Sequence, residues 1–124
     1  MSQSIFFSSD CDTLALCLKS EEFRRFTNLD KIDGQEITLF DTSGYFDDCD
    51  TFYVKNKILK RVIPDFKVEV NETEVKGVDK IILMKVEKVK KAKRFYFFLS
   101  LSNLSITLEV DDKDKIKVIN RGQF

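Results

Sequence analysis

Three stretches in the last third of the chain alternate with a period of two, and this constrains the fold more than any other feature. Ile82, Met84 and Val86 alternate with Leu83, Lys85 and Glu87. Phe95, Phe97, Leu99 and Leu101 alternate with Tyr96, Phe98 and Ser100. Leu104, Ile106, Leu108 and Val110 alternate with Ser105, Thr107 and Glu109. Period two places alternate side chains on opposite faces of a strand. The links are short: a lysine-rich run, a few residues after Leu101, and Asp111-Asp112-Lys113-Asp114 before Ile116 and Val118 begin a fourth strand. Successive strands on short links predict an antiparallel meander. Tyr96 and Phe98 make the Phe95 strand apolar on both faces, so it is expected to be central, with helix covering one side.

The first half is less regular. Ser4 to Ser8 reads as a short strand. Asp10 or Asp12 can cap a helix that carries Leu14, Leu16 and Leu18. The apolar positions then leave their stripe, since Leu14 and Phe23 are nine residues apart, about 180° around a helix. Ser20, followed by Glu21 and Glu22, can cap a second turn. One kinked helix or two short ones are expected over 11–27. Gln35 to Phe40, Thr51 to Val54, Ile58 to Ile63 and Phe66 to Val70 read as strands, with turns at Asp33-Gly34, Asp41 to Gly44 and Lys55-Asn56. The fold class is α+β: an N-terminal helical segment packed on a mainly antiparallel sheet ending in a C-terminal meander, as one domain over 1–124.

Composition excludes more than it suggests. Among 124 residues there is no histidine, which removes Ser-His-Asp and Cys-His catalysis and the usual catalytic zinc sites. Four scattered glycines make neither a P-loop nor a GxGxxG turn. No cofactor is expected. Cys11, Cys17 and Cys49 are odd in number and lack CxxC spacing, so reduced thiols in a cytoplasmic protein are expected. The opening residues lack a basic and then apolar leader pattern, and no apolar run approaches membrane-spanning length. No membrane association is expected. A lean toward Lys, Ile, Asn and Phe fits an AT-rich genome, of bacterial or phage type.

Charge is balanced overall, with 21 basic and 21 acidic residues, but not along the chain. Residues 1–54 hold eleven acidic and four basic side chains, and residues 55–124 hold ten and seventeen. Asp41, Asp47, Asp48 and Asp50 lie close to Tyr45, Phe46, Phe52 and Tyr53. Carboxylates flanked by aromatics suit recognition of a basic protein surface, with rings as anchors and charges setting the encounter rate. The expectation is therefore a non-enzymatic intracellular protein-binding module, a small inhibitor or immunity-type protein meeting its partner through Asp41, Tyr45, Asp47, Asp48 and Asp50. The same carboxylates do not make an EF-hand, and no metal site is assigned.

Two alternatives are weighed beside it. Lys88, Lys90, Lys91, Lys93 and Arg94, with Lys85, form a basic run next to the Phe95 strand and could contact phosphates of a nucleic acid. The chain lacks the basic balance usual for that role, and the alternating rings fit a core. Asp65, Glu74 and Lys76 match the loose PD…ExK spelling of metal-dependent nucleases, but the surroundings of Glu74 read as a turn.

Overall fold

The structure, a computed structural model, describes residues 10–46, 49–63 and 80–123. The strands expected at Ser4 to Ser8 and Phe66 to Val70 lie outside these residues.

Helix α1 spans Asp10–Lys19 and helix α2 spans Glu21–Thr27. In α1, Asp10 and Asp12 sit in the first turn and Lys19 in the last, each complementing the helix dipole. Thr13, Leu14, Cys17 and Leu18 recur at helical spacing and are buried. Ser20 breaks the helix as its position suggests. It takes extended backbone, and its hydroxyl accepts from the Phe23 amide at 3.1 Å while donating to the Cys17 carbonyl at 2.6 Å. α2 ends at Asn28 in the left-handed region, followed by a 3-10 turn at Leu29–Lys31.

Seven strands follow: β1 Glu36–Asp41, β2 Thr51–Val54, β3 Lys57–Val62, β4 Ile81–Val89, β5 Ala92–Leu99, β6 Leu104–Val110 and β7 Ile116–Gln123. They form one sheet in the order β2-β3-β1-β4-β5-β6-β7. The meander β4-β5-β6-β7 is antiparallel throughout, as its sequence pattern requires. Four of the six strand pairings are antiparallel, as expected of a mainly antiparallel sheet, and the two made by β1 are parallel, so the sheet is mixed. β1 runs parallel to both neighbours, pairing Leu39 with Arg61 of β3 and with Ile81 of β4. β3 inserts between β1 and β2, so the chain leaving β1 must pass the end of β3 before returning through the β2–β3 hairpin.

One face of the sheet carries the main core. Leu39, Phe52, Leu59, Leu83, Phe95, Phe97, Ile106 and Leu108 are buried in one cluster with Leu14, Leu18 and Phe23 of the helices. The Phe23 ring meets Phe97 edge-on at 4.9 Å between centroids, a geometry favoured by the ring quadrupoles. On β5, Phe95, Phe97 and Leu99 are buried, while Arg94, Tyr96 and Phe98 on the opposite face are half-buried. No helix among the described residues is long and apolar enough to cross a membrane.

Candidate functional site

The acidic segment is largely a structural joint. Asp41, the last residue of β1, is 0% exposed. Its Oδ2 faces Arg61 Nη1 at 2.7 Å, and its Oδ1 accepts from the Ser43 amide at 2.8 Å, an Asx turn. Arg61 sits on β3 in the row of Leu59, facing the core. Its Nε donates to the Cys49 carbonyl at 2.7 Å, its Nη2 lies 3.5 Å from Asp50, and its guanidinium stands 5.8 Å from the Phe46 ring centre. The Arg61 amide also donates to the Asp50 carbonyl at 2.7 Å. One arginine thus ties both ends of the segment joining β1 to β2. Burying two charges is tolerable here because each has several hydrogen-bonding partners.

Cys49, in the same segment, is bonded to Cys11 of α1 across 38 residues of sequence, with Cα atoms 5.9 Å apart. This corrects the expectation of three reduced thiols. Only Cys17 is free, and burial pushes its thiol strongly upward, with the Glu22 charge adding to the shift. It is an inert core residue.

Of the residues expected to meet a partner, Asp41 is therefore interior and cannot do so. Asp50 remains exposed, its side chain 76% accessible. Tyr45 is half-buried, edge-on to Phe46, which in turn stacks over Phe95. Burial, then the Asp10 charge and a hydrogen bond to Asp10, raise the Tyr45 phenol. Asp47 and Asp48 lie outside the described residues. The structure brings Tyr45 close to Asp10, and Lys93 forms an ion pair with Asp10.

The basic run is spread over two strands rather than gathered in a loop. Lys90 and Lys91 alone form the turn between β4 and β5, Lys90 with a φ of 55°. Lys88 pairs across the ladder with Lys93, and Glu87 with Arg94. Lys93 is engaged by Asp10, and Arg94 Nε donates to Glu109 at 2.8 Å. Lys88, Lys90 and Lys91 remain exposed. The rings needed for base stacking are mostly withdrawn, since Phe95 and Phe97 are in the core. Asp65, Glu74 and Lys76 lie outside the described residues. Among the described residues no group of three or more Cys, Asp or Glu converges as a metal site.

Among the described residues, several ion pairs join the acidic half of the chain to the basic half. Lys93 meets Asp10, Arg61 meets Asp41 and Asp50, Lys60 meets Glu36, and Lys55 lies 3.9 Å from Asp30.

The remaining candidate is one that sequence reasoning passed over: the edge of β7. No described residue of β7 is buried, and no described strand lies beyond it. Val118 and Ile119 are each 36% exposed. Its cations are Lys117 and Arg121, with Lys115 just before it, and it carries no carboxylate. Lys117 lies 3.7 Å from Glu109 on β6. The available signal was the terminal position of this strand after a meander, together with its one-sided charge. The outer face beside it is organised by polar pairs: the Tyr96 hydroxyl donates to Glu87 at 2.7 Å, and Lys85 lies 5.3 Å from the Tyr96 ring centre. Both perturbed groups there, Glu87 lowered and Tyr96 raised, are explained first by that hydrogen bond. They do not form an acid–base pair inside a cleft.

Fold and site together define an α+β protein with a seven-stranded mixed sheet, one edge tied down and the other without a further strand among the described residues. No protein family, curated protein or solved structure matches the chain.

Proposed function

We propose that the chain is a non-enzymatic protein-binding module, of inhibitor or immunity type, that accepts an extended segment of its partner along β7. The observation that carries this reading is the eight-residue outer strand with exposed Val118 and Ile119. Among the described residues no strand pairs with the outer side of β7, and a sheet edge offers a row of backbone donors and acceptors, the basis of recognition by strand addition. The charge of the edge selects the occupant. A second copy pairing antiparallel about Ile119 would set Lys117 of each copy opposite Arg121 of the other, and like charges across a ladder are destabilising. A partner strand with carboxylates at alternate positions relieves this. The partner thus changes from the basic surface expected of an acidic site to an acidic, β-prone segment. Asp50 and Tyr45 keep a role only if the partner also reaches the other end of the sheet.

The Cys11–Cys49 bond removes the free-thiol argument for a cytoplasmic address. Such a bond persists most readily in an oxidising compartment, and that is where we propose the module works.

The test is affinity capture from native extract by the full chain and by Val118→Lys/Ile119→Lys, with and without nuclease, followed by hydrogen exchange on the reconstituted complex. A partner that survives nuclease, is lost by the variant and slows exchange of β7 amides supports the proposal. A partner retained equally by the variant overturns it. Capture that vanishes with nuclease shifts the reading to nucleic acid at Lys88, Lys90 and Lys91.

A further inference from the structure

A cleft of about 370 Å³ opens between α2 and the far end of the β6–β7 pair, lined by Arg25, Phe26, Leu104, Ser105, Arg121 and Gly122. Two arginines are among its lining residues, and no Asp or Glu of the described residues is. Among the described residues Arg25 pairs with Glu21 in an exposed pair one helical turn away, at 2.8 Å, and exposed pairs of this kind are weak. Phe26 and Leu104 are half-buried and supply an apolar wall, while Ser105 adds a hydroxyl. Gly122 faces that hydroxyl, since a Cβ there would come within 3.4 Å of Ser105 Oγ. The glycine keeps the polar side of the cleft open.

We infer that this cleft binds an apolar molecule bearing a carboxylate, with the carboxylate between Arg25 and Arg121 and the apolar part against Phe26 and Leu104. Guanidinium groups match a carboxylate in a planar, two-pronged fashion, and a mostly apolar wall with a few convergent polar groups is the usual make-up of a ligand cleft in this size range. Bringing a carboxylate between two like charges removes their repulsion, which supplies selectivity for an anion over a neutral or cationic molecule of the same length. The inference does not depend on strand addition at β7. The carboxylate can come from a free amphipathic acid or from the C-terminus of a peptide.

The experiment titrates the isotope-labelled full chain with octanoate, with octanol and octylamine as controls, and reads amide shifts by NMR. Saturable shifts at Phe26, Ser105 and Gly122 with octanoate alone are expected. Arg121→Gln should weaken binding about tenfold, the loss of one charge-assisted contact, and Arg25→Gln should weaken it independently. Both side chains are exposed, so the spectra should otherwise keep their dispersion. Absence of shifts with octanoate, equal shifts with octanol, or unchanged affinity in both variants would overturn the inference. The tripeptide Ala-Leu-Leu as free acid and as amide separates the sources. Tighter binding of the free acid than of octanoate assigns a chain terminus, and weaker binding assigns a free amphipathic acid.

Discussion

The two edges of the sheet are built on different principles. β2 is four residues long, and alternate side chains Phe52 and Val54 are buried. The segment feeding it is held by Arg61 through the Cys49 carbonyl and both Asp41 and Asp50, and by the disulfide to α1. β7 is twice as long, has no buried described residue, and is held to the molecule by its ladder to β6 and the Lys117–Glu109 pair. Natural sheets protect edges by shortness, covering or charge. The β2 edge is short. β7 carries charge of one sign, which disfavours pairing with a copy of itself and, in the function proposed above, favours an acidic strand. Sites that bind are drawn from the less anchored parts of a fold, and here the contrast lies within a single sheet.

The largest expected effect comes from breaking the β2 clamp at its centre. Arg61→Met leaves the Asp41 carboxylate buried without its cation. Such a change costs about 3–5 kcal/mol, which is a fall in Tm of roughly 10–20 °C for a chain this size. The double variant Asp41→Leu/Arg61→Met should recover most of that loss, because an apolar pair of similar volume can replace a buried ion pair at little cost. Denaturant titration of both variants checks this. Equal instability of the two would mean that Arg61 acts through Cys49 and Asp50 rather than through Asp41.

Opening the disulfide comes next. Closing a loop across 38 residues restricts the unfolded chain, and its loss should lower stability by about 2–4 kcal/mol. Cys11→Ser/Cys49→Ser, compared with the oxidised protein by thermal melting, tests the size of the effect. Cys17 should resist thiol reagents in both until the chain unfolds, since it is buried and its thiol is held protonated. An unchanged Tm in the serine variant would leave the β2 edge clamped by Arg61 alone.

These two clamps also mark where the sequence stopped being legible. The meander could be read because period two survives over three strands with short links, and the break at Ser20 because Leu14 and Phe23 cannot share one helical stripe. The parallel placement of β1 could not be read. Its pairing with β3 is accompanied by a contact between Asp41 and Arg61, twenty residues apart, and nothing local announces it. Arg61 looked like an interruption of an apolar run. Its period-two match to Leu59 was the one clue that it faces inward. The acidity of Asp41 is visible in the sequence while its burial is not, so its place in the clamp rather than on a surface cannot be read from it. Cysteine spacing likewise says nothing about pairing when the residues are brought together by a distant arginine. The Arg25–Arg121 cleft joins residues from opposite ends of the chain and has no sequence signature.

A smaller effect on stability, though a large one on binding, is expected from the open edge. Val118→Lys/Ile119→Lys adds charge where strands would pair. Its stability should stay within about 1 kcal/mol of the parent, as for most surface substitutions, while partner affinity falls at least about tenfold. Isothermal titration with the captured partner, beside a denaturant curve, separates the two quantities. A large stability loss with affinity intact would reverse the contrast and make β7 the structural edge.

The smallest effect tests whether the outer face of the meander steadies the strands leading to β7. The hydrogen bond from Tyr96, aided by the Lys85 charge, holds the Glu87 carboxyl below its ordinary 4.5. A carboxyl depressed in the folded state contributes stability above its unfolded pKa and loses it as pH falls through the folded one. The same hydrogen bond raises the Tyr96 phenol above its ordinary 10.0, so that contribution is present below pH 10 and lost as pH rises through the folded value. Tyr96→Phe removes the alkaline dependence and the largest contribution to the acid one, leaving that of the Lys85 charge. The parent should therefore lose Tm more steeply than the variant below about pH 4.5 and again above about pH 10, and the two curves should approach each other at both extremes. Asp111, lowered by the backbone amides of Lys115 and Lys113 at the β6–β7 turn, titrates in the same acid range. It is common to both proteins, so their difference isolates Glu87. Superimposable curves would show that the outer-face pairs are too solvated to matter, leaving the ladder to β6 as the main anchor of the open edge.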